Sequence, residues 1–398
     1  MERLVSLAGL FLFLGIGWAL SDGRKHISWR LVLWGVSLQF IFALLILKTA
    51  PGHLVFDFAR VVTMRVLDFA DYGSKFLFGN LATDYTIGAT VAFKVLPVII
   101  FTSSLMGVLT HLNIIQQVIR LMALIMQRTM RASGAEALMS AMFVFMGIEA
   151  TTGVKDYIRK MTRSELFTVM TGFLSTIAGS VMAVYVSFGA SAGHLLAASV
   201  MSAPAAIVIS KLIIPERDTP ETSAGVSASL KGDDVNVIEA AANGAYEGMK
   251  LAVTVAAMLL AFIALIGMLN SLLGYAGTSF ESLAGYAFTP VAFVMGVPWE
   301  DCSKVGELLG IKVVFTEFIA YQKMQALIAA KTLHPRSITI ATYALCSFAN
   351  LSTIAMLIGG IGSIAPERKK EVASMAVRAL VAGVIASFMT ATIAGLLV

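Results

Sequence analysis

Charge is scarce in this sequence. Only 13% of its 398 residues are Asp, Glu, Lys or Arg, while 58% are hydrophobic and the mean hydropathy is +0.84. A soluble domain carries about 25% charged residues, so a soluble enzyme or binding module is excluded as the body of the chain. Cysteine is nearly absent too. Cys302 and Cys346 stand alone, and two isolated thiols make neither a disulfide framework nor a metal motif. No H-E-x-x-H, G-x-S-x-G or Walker pattern occurs, which leaves a membrane-embedded enzyme as a remote alternative. The net charge of +5 comes from basic residues scattered among short loops. That fits the positive-inside rule and not a nucleic-acid-binding face, so no nucleic-acid partner is expected. Period-2 alternation is lacking as well, which argues against a membrane barrel.

What the chain does have is long apolar runs. A helical span needs about 20 mostly apolar residues, and the runs predict an all-α polytopic membrane protein in a lipid bilayer. Residues 4–20 and 31–50 read as spans around the basic loop SDGRKHISWR, which places the N-terminus outside. Arg24, Lys25 and Arg30 follow the first run in place of a cleavage site, so it reads as a retained span and not a signal peptide. Residues 51–86 are mixed and suit the outer side. A third span is expected at 90–112, and 114–131 is an amphipathic, basic helix for the cytoplasmic interface. Further spans are expected at 166–188, 194–214, 251–273 and 373–398, with a polar loop at 215–234 and a second interfacial stretch at 235–250.

Two regions break this pattern. Residues 133–160 carry Gly134, Gly147 and Gly153 around Glu149, with Arg128 and Arg131 on one side and Lys155, Arg159 and Lys160 on the other. Two cytoplasmic flanks require a segment that enters and returns on one face, a re-entrant hairpin turning near 147–153. Residues 298–330, with Gly310 at the expected break and Glu317 in apolar surroundings, read as a second hairpin from the outer face. After each comes a charged elbow: the T-x-x-E of Thr162 and Glu165, a capping box, and then Leu333-His334-Pro335. Each elbow opens a helix carrying the same five residues, LSTIA, at 174–178 and at 351–355. Oppositely entering interruptions at matching places are an inverted repeat, the sequence pointer to a transporter's midplane site. The expected division is 1–110, mainly scaffold; 111–214, the first repeat half; 215–250, the polar loop and interfacial helix; and 251–398, the second repeat half.

Carboxylates inside a membrane default to function, which singles out Glu149 and Glu317; the competing reading is a helix cap or a pair with Lys155 or Lys323. Asn350 offers donors and an acceptor together, suited to sugar hydroxyls, a base edge or an interhelical bond. Thr176 and Thr353 either bond back to the preceding turn or loosen the helix and free carbonyls for a cation. Phe348 stacks on a planar ring or simply packs.

Four stretches, KMTRSELFTVMTGFLSTIAGSVMAVYV, HLLAASVMSAPAAIVISKLIIPE, GELLGIKVVFTEFIAY and ATYALCSFANLSTIAMLIGGIGSIAPERKKE, resemble the concentrative nucleoside transporter family, over about residues 90–398. The resemblance implies eight spans, two opposed hairpins, a homotrimer with a site in each protomer, and an elevator-like transport domain. It implies nucleoside uptake coupled to Na+ or H+, with no other cofactor, across a bacterial inner membrane with both termini outside. It gives Glu317 and Asn350 to the ribose, Thr353 to a position where the family usually has serine, Phe348 to a pocket aromatic and Val181 to base packing. Glu149 matches the glutamate at the tip of the first hairpin. Ile148 stands where the family has a base-recognising glutamine and a hydroxyl, and the tip is one residue shorter. Thr176 and Ile177 match half of a Na+ site, with Met146 in the ion-binding set. The asparagine of the other half is missing, since Met142 and Phe143 occupy that region. The implied alternative is a same-fold transporter for another ribose-containing or sugar-like compound.

Overall fold

The computed structural model describes residues 2–83, 91–148, 150–151, 155–223 and 234–398, and all regular structure among them is helical. The first two spans appear as α1 (Glu2–Ala19) and α2 (Trp29–Lys48). Ser28 caps α2, its hydroxyl accepting from the Leu31 amide at 3.4 Å. The mixed segment that follows is mostly helical. It forms α3 (Ala50–Phe78), started by Thr49, which accepts from the Gly52 amide, with Pro51 in the first turn where its missing N–H costs nothing. The short α4 (Asn80–Thr83) ends that region. The third span is helical through Val91–His111, its main part being α5 (Leu96–His111). The amphipathic stretch is α6 (Ile114–Met130), which buries Ile115, Ile119, Met122, Met126 and Met130 along one face.

The first interrupted region begins with α7 (Gly134–Met142), leaves helical geometry after Phe143 and resumes with the single turn of α8 (Lys155–Ile158). Glu149 and 152–154 lie outside the described residues. The expected capping box is present: the Thr162 hydroxyl accepts from the Glu165 amide at 3.0 Å, and Glu165 Oε2 accepts from the Thr162 amide at 2.9 Å. The helix it opens is not the continuous 166–188 span. α9 (Arg163–Ser175) stops at Thr176, and α10 (Gly179–Ser187) starts afresh. α11 (Ala192–Ile213) then crosses back.

The second interfacial stretch and its span are one helix, α12 (Val237–Gly274), 38 residues long. At 1.5 Å per residue this is about 57 Å, far more than the roughly 30 Å of hydrocarbon. The polar first part therefore differs from the rest in surroundings, not in backbone. α13 (Phe280–Val294), unanticipated in the sequence, packs along α14 (Trp299–Val314). The chain then turns at Phe315 and Thr316, not at Gly310, and returns as α15 (Glu317–Ala329). Gly310 is inside α14, where a Cβ would strike Ala284 of α13. The helix expected to carry the second LSTIA is broken as well. α16 (Pro335–Leu345) ends before Cys346, and α17 (Leu351–Ile364) begins after Asn350. α18 (Lys369–Leu397) is the last span.

Seven helical segments among the described residues are long and apolar enough to cross a membrane, and α17 is a shorter apolar helix. The loops with most basic residues share one end. There Asp22 pairs with Arg378 at 3.4 Å, Arg217 at 3.7 Å and Arg163 at 4.0 Å. At the other end Arg3 donates to the Val398 carbonyl at 2.8 Å, so the two termini lie together.

α5 and α12 pair more closely than ordinary side chains allow. A Cβ at Gly248 would come within 2.7 Å of Ser103 Cβ, and one at Gly244 within 2.9 Å of Ser104 Cα. Small residues are what let helix backbones meet where lipid removes the hydrophobic drive. The rest of the core gathers around α9, α11 and α18.

Candidate functional site

The two helix breaks meet at the centre of the molecule. The Phe348 amide donates to the Thr176 carbonyl at 3.0 Å, and the Phe348 ring lies 5.7 Å from that of Phe173. An interrupted segment reaches each side. The Gly179 amide, first in α10, donates to the Phe145 carbonyl, just beyond α7, at 3.0 Å. On the second, Glu317 stands at the first position of α15 beside its cap, Thr316. Asn350 caps α17, its Oδ1 accepting from the Thr353 amide at 2.9 Å, the Thr353 hydroxyl at 2.8 Å and the Ser352 hydroxyl at 2.6 Å. Three bonds on one oxygen leave its amide group no rotational choice.

That fixed amide points at the carboxylate. Asn350 Nδ2 donates to Glu317 Oε2 at 2.8 Å, and the Tyr185 hydroxyl donates to Glu317 Oε1 at 2.8 Å. Tyr185 is held in turn by a stacked Tyr321, 4.4 Å between centroids. Glu317 is 4% exposed. It does not pair with Lys323, which bridges Glu281 and Glu307. The starts of α15 and α17 both face it, and the positive ends of their dipoles favour an anion there.

A cavity opens beside this carboxylate. Ile148, Val181, Glu317, Phe348, Asn350 and Thr353 line it together, so the described members of the expected substrate set share one wall. Glu149 lies outside the described residues. The sequence reading did not single out Tyr185, Thr316, Ser352 or Phe173, nor the far wall, where α12 contributes Leu251, Thr254, Val255, Met258 and Leu259. Tyr185 could have been found: it lies four residues after Val181, one helical turn on the same face. Polar groups gather at the Glu317 end, and the rest is apolar. Ile148 lies against Gly360 of α17, close enough that a Cβ there would collide with it.

The ion-binding set is dispersed by comparison. Thr176 and Ile177 are buried in the break, and Met146 lines an adjoining cavity with Ser180 and Thr254. The Thr176 hydroxyl bonds back to the Gly172 carbonyl at 3.0 Å, and the Thr176 and Phe145 carbonyls both accept backbone bonds. Thr353 does the opposite: its hydroxyl serves Asn350 and does not bond back. Phe143, fully buried, packs its ring 5.8 Å from Phe173 and contributes no oxygen. Ca2+ and Mg2+ take six or more oxygens in their usual sites, and the described members of this set offer fewer free ones. No cluster of three His, Cys, Asp or Glu side chains able to hold a metal exists among the described residues.

Three family descriptions match the chain: "Na+ dependent nucleoside transporter C-terminus" over 194–395, its N-terminus counterpart over 8–81, and "Nucleoside recognition" over 92–192. Among curated proteins, solute carrier family 28 member 3 of Mus musculus is 42% identical over 418 residues, with 100% of this chain and 59% of that protein covered. Human sodium/nucleoside cotransporter 1 is 39% identical, with 100% and 64% covered. The chain thus spans about six tenths of the length of these relatives. Among solved structures, CNTnw in an inward-facing, substrate-bound state superimposes with a TM-score of 0.93 at 38% identity, covering 100% of this chain and 98% of that one. An outward-facing variant of CNTnw gives 0.94 at 37%, with the same coverage.

Proposed function

Because this chain belongs to the sodium-dependent nucleoside transporter family, a family of membrane transporters and not of enzymes, we propose that it imports nucleosides by cation symport. The observation that carries the reading is the Glu317–Asn350 pair, held rigid at the starts of two half-helices inside one cavity. Glu317 keeps lone pairs that can accept from ribose hydroxyls, and Asn350 keeps one N–H that can donate to them. Phe348, Val181 and Ile148 take the base; Glu149, for which the sequence suggests a place by the base or a proton-carrying role, lies outside the described residues. The direct test is reconstituted protein with labelled uridine or adenosine under an inward Na+ or H+ gradient. Accumulation is expected. Failure with both nucleosides, from protein that remains monodisperse, would sink the reading and leave the alternative of another ribose-containing or sugar-like substrate.

The cavity lies between α12, which is locked to α5, and the hairpins and broken helices. This supports a fixed scaffold built on α5 and α12 with the remaining core moving past it, an elevator-like alternation. Both termini lie at the end opposite the basic loops, which with the positive-inside rule supports the reading that they face outward from a bacterial inner membrane. The exposed apolar face of α3, with Leu54, Phe58, Val61 and Phe76, meets lipid or another protomer of a homotrimer.

Two departures from the family set further expectations. Phe143 and the engaged Thr176 make Na+ a poor coupling ion, so uptake is expected to respond weakly to sodium at fixed pH. A steep rise with sodium, the two gradients being varied independently, would contradict this. Ile148 in place of hydrogen-bonding groups is expected to blur base choice, since apolar contacts discriminate only about 10–200-fold where hydrogen-bonding sites reach 10⁴ or more. Competition by uridine, cytidine and adenosine against labelled uridine should give inhibition constants within about tenfold of one another. A spread of several decades would show that the base is read by polar groups after all.

A further inference from the structure

The second hairpin carries another ionisable group that substrate binding alone does not require. Lys312 lies on α14, five residues before Glu317, and is 0% exposed. Its one hydrogen bond among the described residues is to Ser387 Oγ of α18, at 3.4 Å, and the Phe388 ring lies 5.6 Å away. No carboxylate comes within ion-pair distance of it among the described residues. Lys211, the other deeply buried lysine, shows what a permanent charge receives here: Glu136, Glu216 and the Ser164 hydroxyl. An ammonium with one long hydrogen bond is poorly compensated in such a place, whereas a neutral amine is tolerated.

Among the described residues, the titratable groups near enough to act on Lys312 are Glu317 on α15 and the Cys346 thiol just after α16. From the other packed elements little comes. α17 holds no charged residue, Glu281 of α13 is paired with Lys323, and Arg336 of α16 is bonded to Glu2 and Gly296. The state of Lys312 therefore follows that of Glu317.

We propose that Lys312 is the proton-binding group of this chain, a neutral amine when the cavity is open to water and an ammonium when a nucleoside fills it. The proposal rests on the nucleoside reading above. Glu317 must be a carboxylate to accept ribose hydroxyls, and Tyr185 and Asn350 hold it in that form. A bound nucleoside displaces the water that screens the carboxylate, and its field on Lys312 strengthens. The amine Nζ then takes a proton from bulk water, leaving an ammonium in the field of the Glu317 carboxylate. By linkage, each binding event favours the other. Load and proton enter together without any ligand from the Na+ site.

The test is proton uptake by the detergent-solubilised full chain, in weakly buffered solution with a pH indicator, on addition of uridine. Wild type is expected to take up close to one proton per uridine bound, with affinity weakening as pH rises through the neutral to alkaline range. Lys312→Met and Lys312→Arg are expected to bind uridine without uptake, the first having no basic group and the second never releasing its proton. If one variant does not fold, the other still reports, and Ser387→Ala is expected to shift the pH at which wild-type uptake occurs. Uridine binding without proton uptake in wild type, or undiminished uptake in the Lys312 variants, overturns the proposal. Absence of any uridine or adenosine binding in wild type overturns the nucleoside reading instead.

Discussion

Glu317→Gln is expected to lower uridine affinity by at least about a hundredfold while the protein remains folded. A hydrogen bond to a charged group is worth about 1.5–3 kcal/mol, and a ribose can donate two hydroxyls to this carboxylate. The sum is roughly 3–6 kcal/mol, or about 10² to 10⁴ in affinity. The glutamine keeps the shape of the side chain. Its amide can still meet Asn350 through oxygen and Tyr185 through nitrogen, so the packing around residue 317 survives. What is lost is one acceptor oxygen and the charge that the starts of α15 and α17 stabilise. Tyr185→Phe acts differently. It leaves the carboxylate in place and removes the donor at 2.8 Å that orients it, so a smaller loss of about tenfold is expected. Isothermal titration of uridine into the purified variants separates the two. Equal affinities for wild type and Glu317→Gln would remove Glu317 from the site.

The parts of this site that the sequence disclosed are the polar residues at helix starts. Glu317 after Thr316 and Asn350 before LSTIA stand out because a membrane interior tolerates such groups only where something holds them. The breaks themselves did not stand out. Residues 176–178 and 346–350 lie inside long apolar runs, and three to five non-helical residues barely disturb a hydropathy pattern. The two LSTIA copies also turn out to be inequivalent. The first spans the break after α9, with Thr176 at its end, whereas the second follows its break and opens α17. Gly310 misled for the opposite reason. Glycine signals a turn and also a close helix contact, and here it serves the contact with α13. α3 and α13 were missed because the first is rich in charge and the second contains Pro290 between glycine-bearing flanks. Lys312 was in plain view in the stretch GELLGIKVVFTEFIAY, but its lack of an ion-pair partner among the described residues is a fact of packing that no spacing reveals.

Lys211→Met is expected to be the most destabilising single change at the basic end of the molecule. Lys211 has only 7% of its side chain exposed; it pairs with Glu136 and with Glu216 at 3.0 Å, and donates to the Ser164 hydroxyl at 2.8 Å. Glu136 is 1% exposed and also belongs to the capping box that starts α7, its Oε2 accepting from the Ser133 amide at 3.1 Å. Ser133 donates to Glu165 Oε1 at 2.6 Å, and Glu165 completes the capping box that starts α9. One cation thus joins the base of the first hairpin to the broken helix and to α11. Removing it leaves a buried carboxylate uncompensated, which costs about 3–5 kcal/mol. The charge, and not the fit of the side chain, is the cause, so Lys211→Met combined with Glu136→Gln is expected to recover most of the loss. The glutamine keeps an oxygen for the Ser133 amide and carries no charge. Lys160→Ala, which breaks an ion pair with Glu221 whose side chains are 65% and 52% exposed, is expected to leave stability unchanged because water solvates both partners already. Thermal melts in detergent, read by tryptophan fluorescence, should order the variants as Lys160→Ala near wild type, the double variant somewhat below, and Lys211→Met far below. If the double variant melts no higher than Lys211→Met, the lysine acts by filling space and the electrostatic account fails.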